Sequence, residues 1–545
     1  MFKFIFAGPL HSQSAASVTM GNLCALLRAQ GHTVEMNLID IDDADCYAKI
    51  ISHADEHRVL LYKVNSMDYA ALIPLLEKAY QNKVFSRIFV CGPFATLNAE
   101  RMMDYAPFID GIILGYGEYT IRELANSLTR NANYEWDLGI SGGVWRDYRS
   151  RQIVHNQVEK TIPLRELPLP ARDIEMADRH AIANLDFSRG CENRCMYCHM
   201  RALLEKCQQK RERKSVDQVF EDIKYLYSLN KRYLIFNDSV FWNGEEDTPY
   251  IADLCNRIIE SKMQVYLMIY LSMYHFPDDD LLKLMYRAGL IRIFIGIESN
   301  SKEVLAKIKD SEYPIERFPE IRERLNGMHI SYHIGYLVFY PFSNMAQVTS
   351  SISYLNSIQK LYRVGIVLEK MRLIPFTPMS GYTDSMAESF GLDRAYDYTF
   401  RDPVVEELYE KLHETFEQKL HATYIHMELL CCGMDLACSI FYHKRKQAFP
   451  ELEKSIRKHR ANSTKYNNAV YKYIQKVITN ITEGKKSNIF SEFQEHYYEC
   501  WHDLEVSWTG FMENMRDVAD IELGNLIPLG DCRYDDEYKK RYQNQ

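Results

Sequence analysis

Two successive stretches of the chain alternate short apolar runs with segments of helix length, and this rhythm decides the fold class. Phe2–Ala7, Thr33–Leu38, Val59–Val64, Ile88–Cys91 and Gly111–Leu114 are runs of four to six residues with few polar interruptions. A strand without polar/apolar alternation is buried on both faces, the situation of parallel sheets covered by helices. Between these runs, Ala16–Gln30, Tyr69–Asn82, Thr96–Tyr105 and Thr120–Thr129 have helical periodicity, and Gly31 stands where a glycine ends the first helix. Residues 1–140 are therefore expected to form a doubly wound, Rossmann-like α/β domain. Ligands of such sheets sit beyond the strand C-termini, here marked by Ser66, Gly92-Pro93 and Gly115-Tyr116-Gly117-Glu118. Tight βα connections need Gly or Pro in any case, so turn composition alone leaves ligand binding open.

Residues 141–180 read as a hairpin, Gly143–Trp145 with Gln152–Val154, followed by a Pro-punctuated linker through Leu167-Pro168-Leu169-Pro170-Ala171-Arg172-Asp173. Proline fixes φ and removes a ladder donor, so this stretch is a semi-rigid domain boundary. From 181 to 390 the βα rhythm resumes, with strands expected at Ala183–Ser188, Tyr233–Asp238, Gln264–Met268, Ile291–Ile297, Ser331–Phe339 and Gly365–Ile374. Six such repeats fit a partial or complete (β/α) barrel. Ser215-Val216-Asp217-Gln218 has the capping-box pattern. Residues 391–545 lose the strand signal and read as a helical domain with helices at Val404–Leu430, Asp435–Arg460, Ser463–Ile481 and Phe490–Val518. Its aromatic residues, at helical spacing, are read mainly as packing.

Composition narrows the function classes. With 47% hydrophobic and 26% charged residues the 545-residue chain is globular rather than disordered. The net charge of −9 offers no basic footprint for nucleic acid. No apolar run approaches bilayer length, so no membrane contact is expected, and Gly8-Pro9 breaks the N-terminal apolar stretch too soon for a secretory signal. Thirteen irregularly spaced cysteines point to a reducing, cytoplasmic setting, where a tight Cys cluster is more often a metal site than a disulfide.

Such a cluster follows the first barrel strand: Ser188-Arg189-Gly190-Cys191-Glu192-Asn193-Arg194-Cys195-Met196-Tyr197-Cys198. Three thiols in eight residues suit neither disulfide geometry nor a four-ligand zinc site. Thiolates spaced this way on a loop can hold three irons of a [4Fe–4S] cluster and leave the fourth open. Barrel chemistry also sits at the C-terminal ends of the strands, where this loop begins.

Cys191-x3-Cys195-x2-Cys198, with Tyr197 before the last cysteine, resembles the signature of the radical S-adenosylmethionine (SAM) superfamily. The resemblance implies that these three thiolates hold a [4Fe–4S] cluster whose open iron binds SAM. Reductive cleavage would then yield a 5′-deoxyadenosyl radical able to attack an unactivated C–H bond, chemistry that acid/base residues cannot supply. Other segments resemble the superfamily in order and position. Asp238, ending the second barrel strand, resembles the acid that holds the SAM ammonium. Gly296-Ile297-Glu298-Ser299, ending the fourth, resembles the G-x-E-S segment that contacts SAM, and Pro375-Phe376-Thr377-Pro378-Met379 the element beside the adenine.

Cys91-Gly92-Pro93, Leu114-Gly115-Tyr116-Gly117-Glu118 and the Leu167–Asp173 linker are similar to the branch with an N-terminal cobalamin-binding domain. That similarity implies cobalamin contacts at Ser66, Gly92, Pro93, Gly115, Gly117 and Glu118. The D-x-H-x-x-G cobalt-binding motif is absent, and Cys91 replaces the first Gly of Gly-Gly-Pro, setting a side chain where backbone would approach a corrin. Cys431, Cys432 and Cys438 admit three readings: an auxiliary cluster, a hydrogen-atom donor, or ordinary buried thiols. The favoured activity is cobalamin-dependent C-methylation of a peptide or small natural product, with flavodoxin or ferredoxin as reductant. A cobalamin-free epimerase, cyclase or rearrangement enzyme is the alternative, and a non-enzymatic Fe–S or cobalamin regulator the third reading.

Overall fold

Burial on both faces organises the first part of the chain. The computed structural model describes residues 3–9, 13–39, 45, 47–48, 58–64, 69–130, 135–178, 180–382, 398–444, 449–485 and 488–516. It divides into two compact units, Met1–Val265 with Leu373–Asp397, and Tyr266–Arg372 with Tyr398–Gln545. The first unit opens with β1 (Lys3–Pro9), α1 (Gln13–Ala29), β2 (Thr33–Ile39), β3 (Arg58–Lys63), α2 (Tyr69–Gln81), β4 (Arg87–Cys91), α3 (Pro93–Leu97), α4 (Ala99–Tyr105), β5 (Gly111–Ile113) and α5 (Glu118–Arg130). A hairpin of β6 (Gly143–Arg146) and β7 (Ile153–His155) follows.

The sheet runs β2-β1-β3-β4-β5-β6-β7, parallel through β5 and antiparallel beyond it. Leu60 and Tyr62 of β3 pack with Leu72, Leu76 and Met102 on one face. Val59 and Leu61 pack with Leu23, Leu27 and Leu124 on the other. This is why the strand carries no polar alternation, and it makes the domain doubly wound. At the hairpin, Trp145 is fully buried and donates its indole N–H to the Ile140 carbonyl at 3.1 Å. A Cβ on Gly143 would lie 1.9 Å from its ring, and one on Gly111 2.4 Å, so only glycine leaves room for the indole.

The linker is pinned rather than merely stiff. Short helix α6 (Asp173–Ala177) follows Arg172, whose buried guanidinium bonds Asp222 at 3.0 Å, Glu175 at 2.9 Å and the Asn184 carbonyl at 2.7 Å. Then come β8 (Ile182–Leu185), β9 (Ser188–Arg189), α7 (His199–Cys207), β10 (Glu212–Arg213), α8 (Val216–Ser228), β11 (Tyr233–Phe236) and α9 (Thr248–Ser261). β8 and β11 pair in parallel, β9 and β10 antiparallel. The capping box forms as its sequence implies, Ser215 accepting from the Gln218 amide and Gln218 from that of Ser215.

The second unit holds β12 (Tyr266–Ser272), α10 (Asp279–Arg287), β13 (Leu290–Glu298), α11 (Lys302–Ile308), α12 (Phe318–Gly327), β14 (Ser331–Tyr336) and α13 (Met345–Ser357), with the three strands parallel. Five barrel-type strands are thus present among the described residues, not six. Gly365–Ile374 begins instead with a 3₁₀ turn, Val364–Val367, and contributes one isolated bridge, Phe339 to Lys370. The Glu428 carboxylate, which accepts from Arg363 and from the Gly365 amide, holds that backbone as a turn.

The helical part comprises α14 (Pro403–His413), a π-helical turn (Glu414–Lys419), α15 (His421–Lys444), α16 (Pro450–Thr482) and α17 (Phe490–Arg516). Asp435 lies within α15 rather than starting a helix, because the break falls before Pro450, which lacks an N–H and suits a first helical position. The aromatic residues pack, Tyr473 stacked on Phe493 at 4.1 Å and Tyr497 fully buried. Thr423–His443 is long and apolar enough to cross a membrane, with mean hydropathy 1.3, contrary to the reading of the sequence. It is 78% buried inside the unit, and so serves as a core helix.

Two stability tests follow. Gly143→Ala is expected to cost about 2 kcal/mol or more, since overpacking a filled site typically costs 1–3 kcal/mol, read from the urea unfolding midpoint. His459 is fully buried between α16 and α17, with Nδ1 2.9 Å from Ser507 Oγ. Burial drives its pKa down to about 4. Unfolded histidine takes up its proton first as pH falls, so this contribution is complete above about pH 6.5 and is lost toward pH 4, at most about 3 kcal/mol. Urea midpoints between pH 7 and 4 should fall less steeply in His459→Gln than in the wild type.

Candidate active site

Cys191, Cys195 and Cys198 lie on the loop between β9 and α7, with Cys195 buried and the other two partly exposed. Gly190 starts the loop at φ 90°, where a Cβ would press on the Arg211 backbone at 3.0 Å. The loop is tied at several points. The Met379 amide donates to the Met196 carbonyl at 3.0 Å, so the Pro375–Met379 segment meets the cysteine loop. Arg201 donates to the Arg194 carbonyl at 2.8 Å, and Asn243 to Glu192 at 2.5 Å. Tyr197 is half-buried between the last two cysteines. Among the described residues no three Cys, His, Asp or Glu side chains stand in metal-ligating geometry. The loop thus carries three soft thiol donors without drawing them round a common centre.

Behind the loop lies a buried charged network. Asp238 accepts from the Phe187 amide at 3.0 Å, from Ser188 Oγ at 2.5 Å and from the Ser188 amide. Both carboxylate oxygens are therefore engaged by the strand leading into the cysteines. Burial pushes this carboxyl up to about 7, against the lowering effect of those hydrogen bonds. Asp238, the residue that resembles the acid holding the SAM ammonium, also holds the backbone that enters the loop. Next to it, Arg189 pairs with Glu118 and, at 2.9 Å, with Asp186, which also binds Lys214. Burial opposes ionisation of Asp186, but Lys214 and Arg189 together outweigh it and hold the carboxyl below its ordinary range. Asp247 binds Arg211 at 2.8 Å and Arg213 at 2.7 Å.

The second unit presents Gly296, Glu298 and Ser299 at the end of β13. Glu298 is a non-glycine residue at φ 66°, beside a register shift between β13 and β14. Its carboxylate folds back over Gly296, where a Cβ would meet it at 2.7 Å, and pairs with Lys309 at 3.2 Å. Ser299 is fully buried and accepts from the Ser301 amide. In the first unit Phe376, at φ 65°, is likewise left-handed and more than half exposed. Glu298 and Phe376 are two of nine left-handed non-glycine residues among those described, and both fall on segments singled out from the sequence.

In the doubly wound domain the glycines have conformational work of their own. Gly92 sits at φ 105° with Val64 O only 3.1 Å from where a Cβ would be, and Gly117 at φ 79° against Ile113. Gly115 lies against Gln209 and donates its amide to Thr96 at 3.1 Å. Pro93 opens α3. Glu118 is engaged by Arg189, and Ser66 lies outside the described residues. The Cys91 side chain packs into the core with Phe89 and Trp145, so it does not crowd the strand end as the sequence suggested.

Sequence reading missed Lys63, Arg189, Lys214 and Lys309. Arg189 stands two residues before the first cysteine, which was the available signal; the others announce themselves only in the folded chain. Lys63, ending β3 between Thr19 (3.5 Å) and the Gly92 turn, is pulled down to about 8, by burial first and by Arg189 repulsion after an opposing pull from Cys91. The tail thiols are buried, each pushed up by that burial, and the described residues build no auxiliary metal site there.

Asp238→Ala should therefore free the Phe187 and Ser188 amides, loosen the loop and lower the iron retained after reconstitution several-fold, since leaving buried donors unpaired costs on the order of 1–3 kcal/mol each. Iron analysis alongside SAM titration distinguishes this from a direct SAM contact, which would weaken SAM with iron unchanged.

Known proteins resemble parts of this chain in sequence and nearly all of it in fold. Residues 185–353 match the family model of the radical SAM superfamily. An uncharacterized methyltransferase of Pyrococcus horikoshii is 24% identical over 323 residues, 57% of this chain and 66% of that protein. The 4′-phospho-dehydrooxetanocin synthase of Priestia megaterium is 26% identical over 348 residues, 59% of this chain and 46% of that protein. The match thus spans less than two thirds of either relative. Among solved structures, the cobalamin-dependent SAM radical enzyme OxsB, with aqua-cobalamin and SAM bound, superposes with TM-score 0.67 at 16% identity, covering 97% of this chain and 83% of that one. The radical SAM methyltransferase TsrM from Kitasatospora setae, with cobalamin and a [4Fe–4S] cluster, gives 0.56 at 13%, covering 93% and 100%. Residues 185–353 thus carry a radical SAM domain, and the chain as a whole shares the fold of OxsB and TsrM.

Proposed function

We propose that this protein is a cobalamin-dependent radical SAM C-methyltransferase acting on a peptide or small natural product. The observation that carries the reading is one chain joining a Cys191/Cys195/Cys198 loop to a doubly wound domain whose β1 and β3 diverge toward β2 and β4. That divergence is the topological switch point, the usual ligand crevice of such sheets. Similarity of fold to OxsB and TsrM, both described with cobalamin bound, supports it.

The donor set fits an iron–sulfur cluster, three soft thiols with a conformationally fixed approach through Gly190. When bound, the cluster and SAM supply the radical, and cobalamin the methyl group. The residues of this chain bind and orient. Cys191, Cys195 and Cys198 would hold iron, while Glu298, Ser299, Gly296, Tyr197 and Pro375 would receive SAM. The Gly92-Pro93 and Gly115–Gly117 turns, at the ends of β4 and β5, would border the corrin. Asp238 and Arg189 position the loop, and a flavodoxin or ferredoxin would supply the electron. The working division is 1–140 for cobalamin, 141–180 as linker, 181–390 for radical generation and 391–545 as a helical domain.

Anaerobically reconstituted protein, given hydroxocobalamin and desalted, is expected to keep about four irons and near-stoichiometric cobalamin, and to form 5′-deoxyadenosine and S-adenosylhomocysteine. Cys195→Ala should form no deoxyadenosine; formation at the wild-type rate would overturn the radical assignment. Four irons without cobalamin would overturn methyl transfer and leave hydrogen abstraction leading to epimerisation, cyclisation or rearrangement.

A further inference from the structure

A cavity of about 570 Å³ in the second unit lies away from these residues. It opens at Ile330 and Ser331, the N-terminal end of β14, whereas Glu298 and Ser299 stand at the C-terminal end of the parallel neighbour β13. Six residues of strand, at about 3.3 Å each, separate the two ends by roughly 20 Å. Barrel chemistry belongs to the C-terminal ends, so this cavity is a separate site, with a volume in the range of small-molecule pockets, about 300–1,000 Å³.

Its charge is unbalanced. Lys360, Arg322 and Arg460 line it against a single carboxylate, Asp435. Lys360 is 6% exposed, with its ammonium 3.4 Å from Asp435 and 4.4 Å from the centre of the Tyr332 ring. A buried ammonium is costly to keep; here it has Tyr362 Oη at 3.4 Å beside its one carboxylate partner, which is itself a third exposed. On the same lining, the buried Arg322 Nε and Gln359 Oε1 have no hydrogen-bond partner. The rest of the wall is rich in hydroxyls, including Ser331, Ser439 and Ser463.

We propose that this cavity binds a small hydroxylated organic anion, a phosphate ester or a carboxylate, with its charged head on Lys360, Arg322 and Arg460. Cys431 and Cys438, 2% exposed, belong to this wall.

Calorimetric titration of the full chain with ribose 5-phosphate, with ribonate and with neutral ribose tests this. The two anions carry similar bodies with different heads and show which head is preferred. Saturable binding of at least one anion, weakened about tenfold or more, roughly 1.4 kcal/mol, in Lys360→Met and in Arg460→Ala supports the assignment. Arg460 is exposed, so its variant keeps the test valid if the buried substitution impairs folding. Absence of saturable binding by either anion, equal binding of ribose, or unchanged affinity in Arg460→Ala would overturn it.

Discussion

The Arg189 guanidinium is the contact on which the candidate site depends. It is largely shielded, it immediately precedes Gly190-Cys191, and it joins Glu118 of the doubly wound domain to Asp186 at the end of the first barrel-type strand. A guanidinium presents a rigid fork of donors that two carboxylates can engage from different sides, here through Nε and Nη1. Removing one partner of such a buried pair costs on the order of 3–5 kcal/mol, because the remaining charge is stranded. The strand that delivers the cysteines is thereby tied to the domain proposed to carry cobalamin.

Asp238 completes the arrangement from the other side. Its carboxylate takes up the amides that β8 leaves unpaired as the chain turns into β9, while Asp247 gathers Arg211 and Arg213 from the facing strand. Acidic residues at strand ends thus act here first on the backbone. A loop bearing soft ligands gains from such support, since ligand geometry is set as much by the residues behind the ligands as by the ligands themselves.

The second unit follows the same economy at Glu298. Its strained backbone and its pairing with Lys309 fold the carboxylate over Gly296, so the glycine is required by a side chain two residues away. At the opposite end of these strands, the basic cavity of Lys360 has no part in that geometry.

Much of this was legible from the residues alone. Period and burial announce themselves in composition, so the parallel sheet, the Ser215 capping box and the cysteine loop could be read directly. The 3₁₀ turn at Val364–Val367 could not, because Gly365–Ile374 is as apolar as a strand and was turned aside by Glu428, distant in sequence. For the same reason the sequence does not show that Glu118 meets Arg189 or that Asp238 meets the Phe187 and Ser188 amides. A carboxylate at a strand end identifies its chemistry but not its partner, and the partner, Arg189 or a backbone amide, is chosen by folding. The sequence by itself determined the donor types and the layers that present them; only tertiary structure decided which charges neutralise one another, because that depends on distances between segments far apart in the chain.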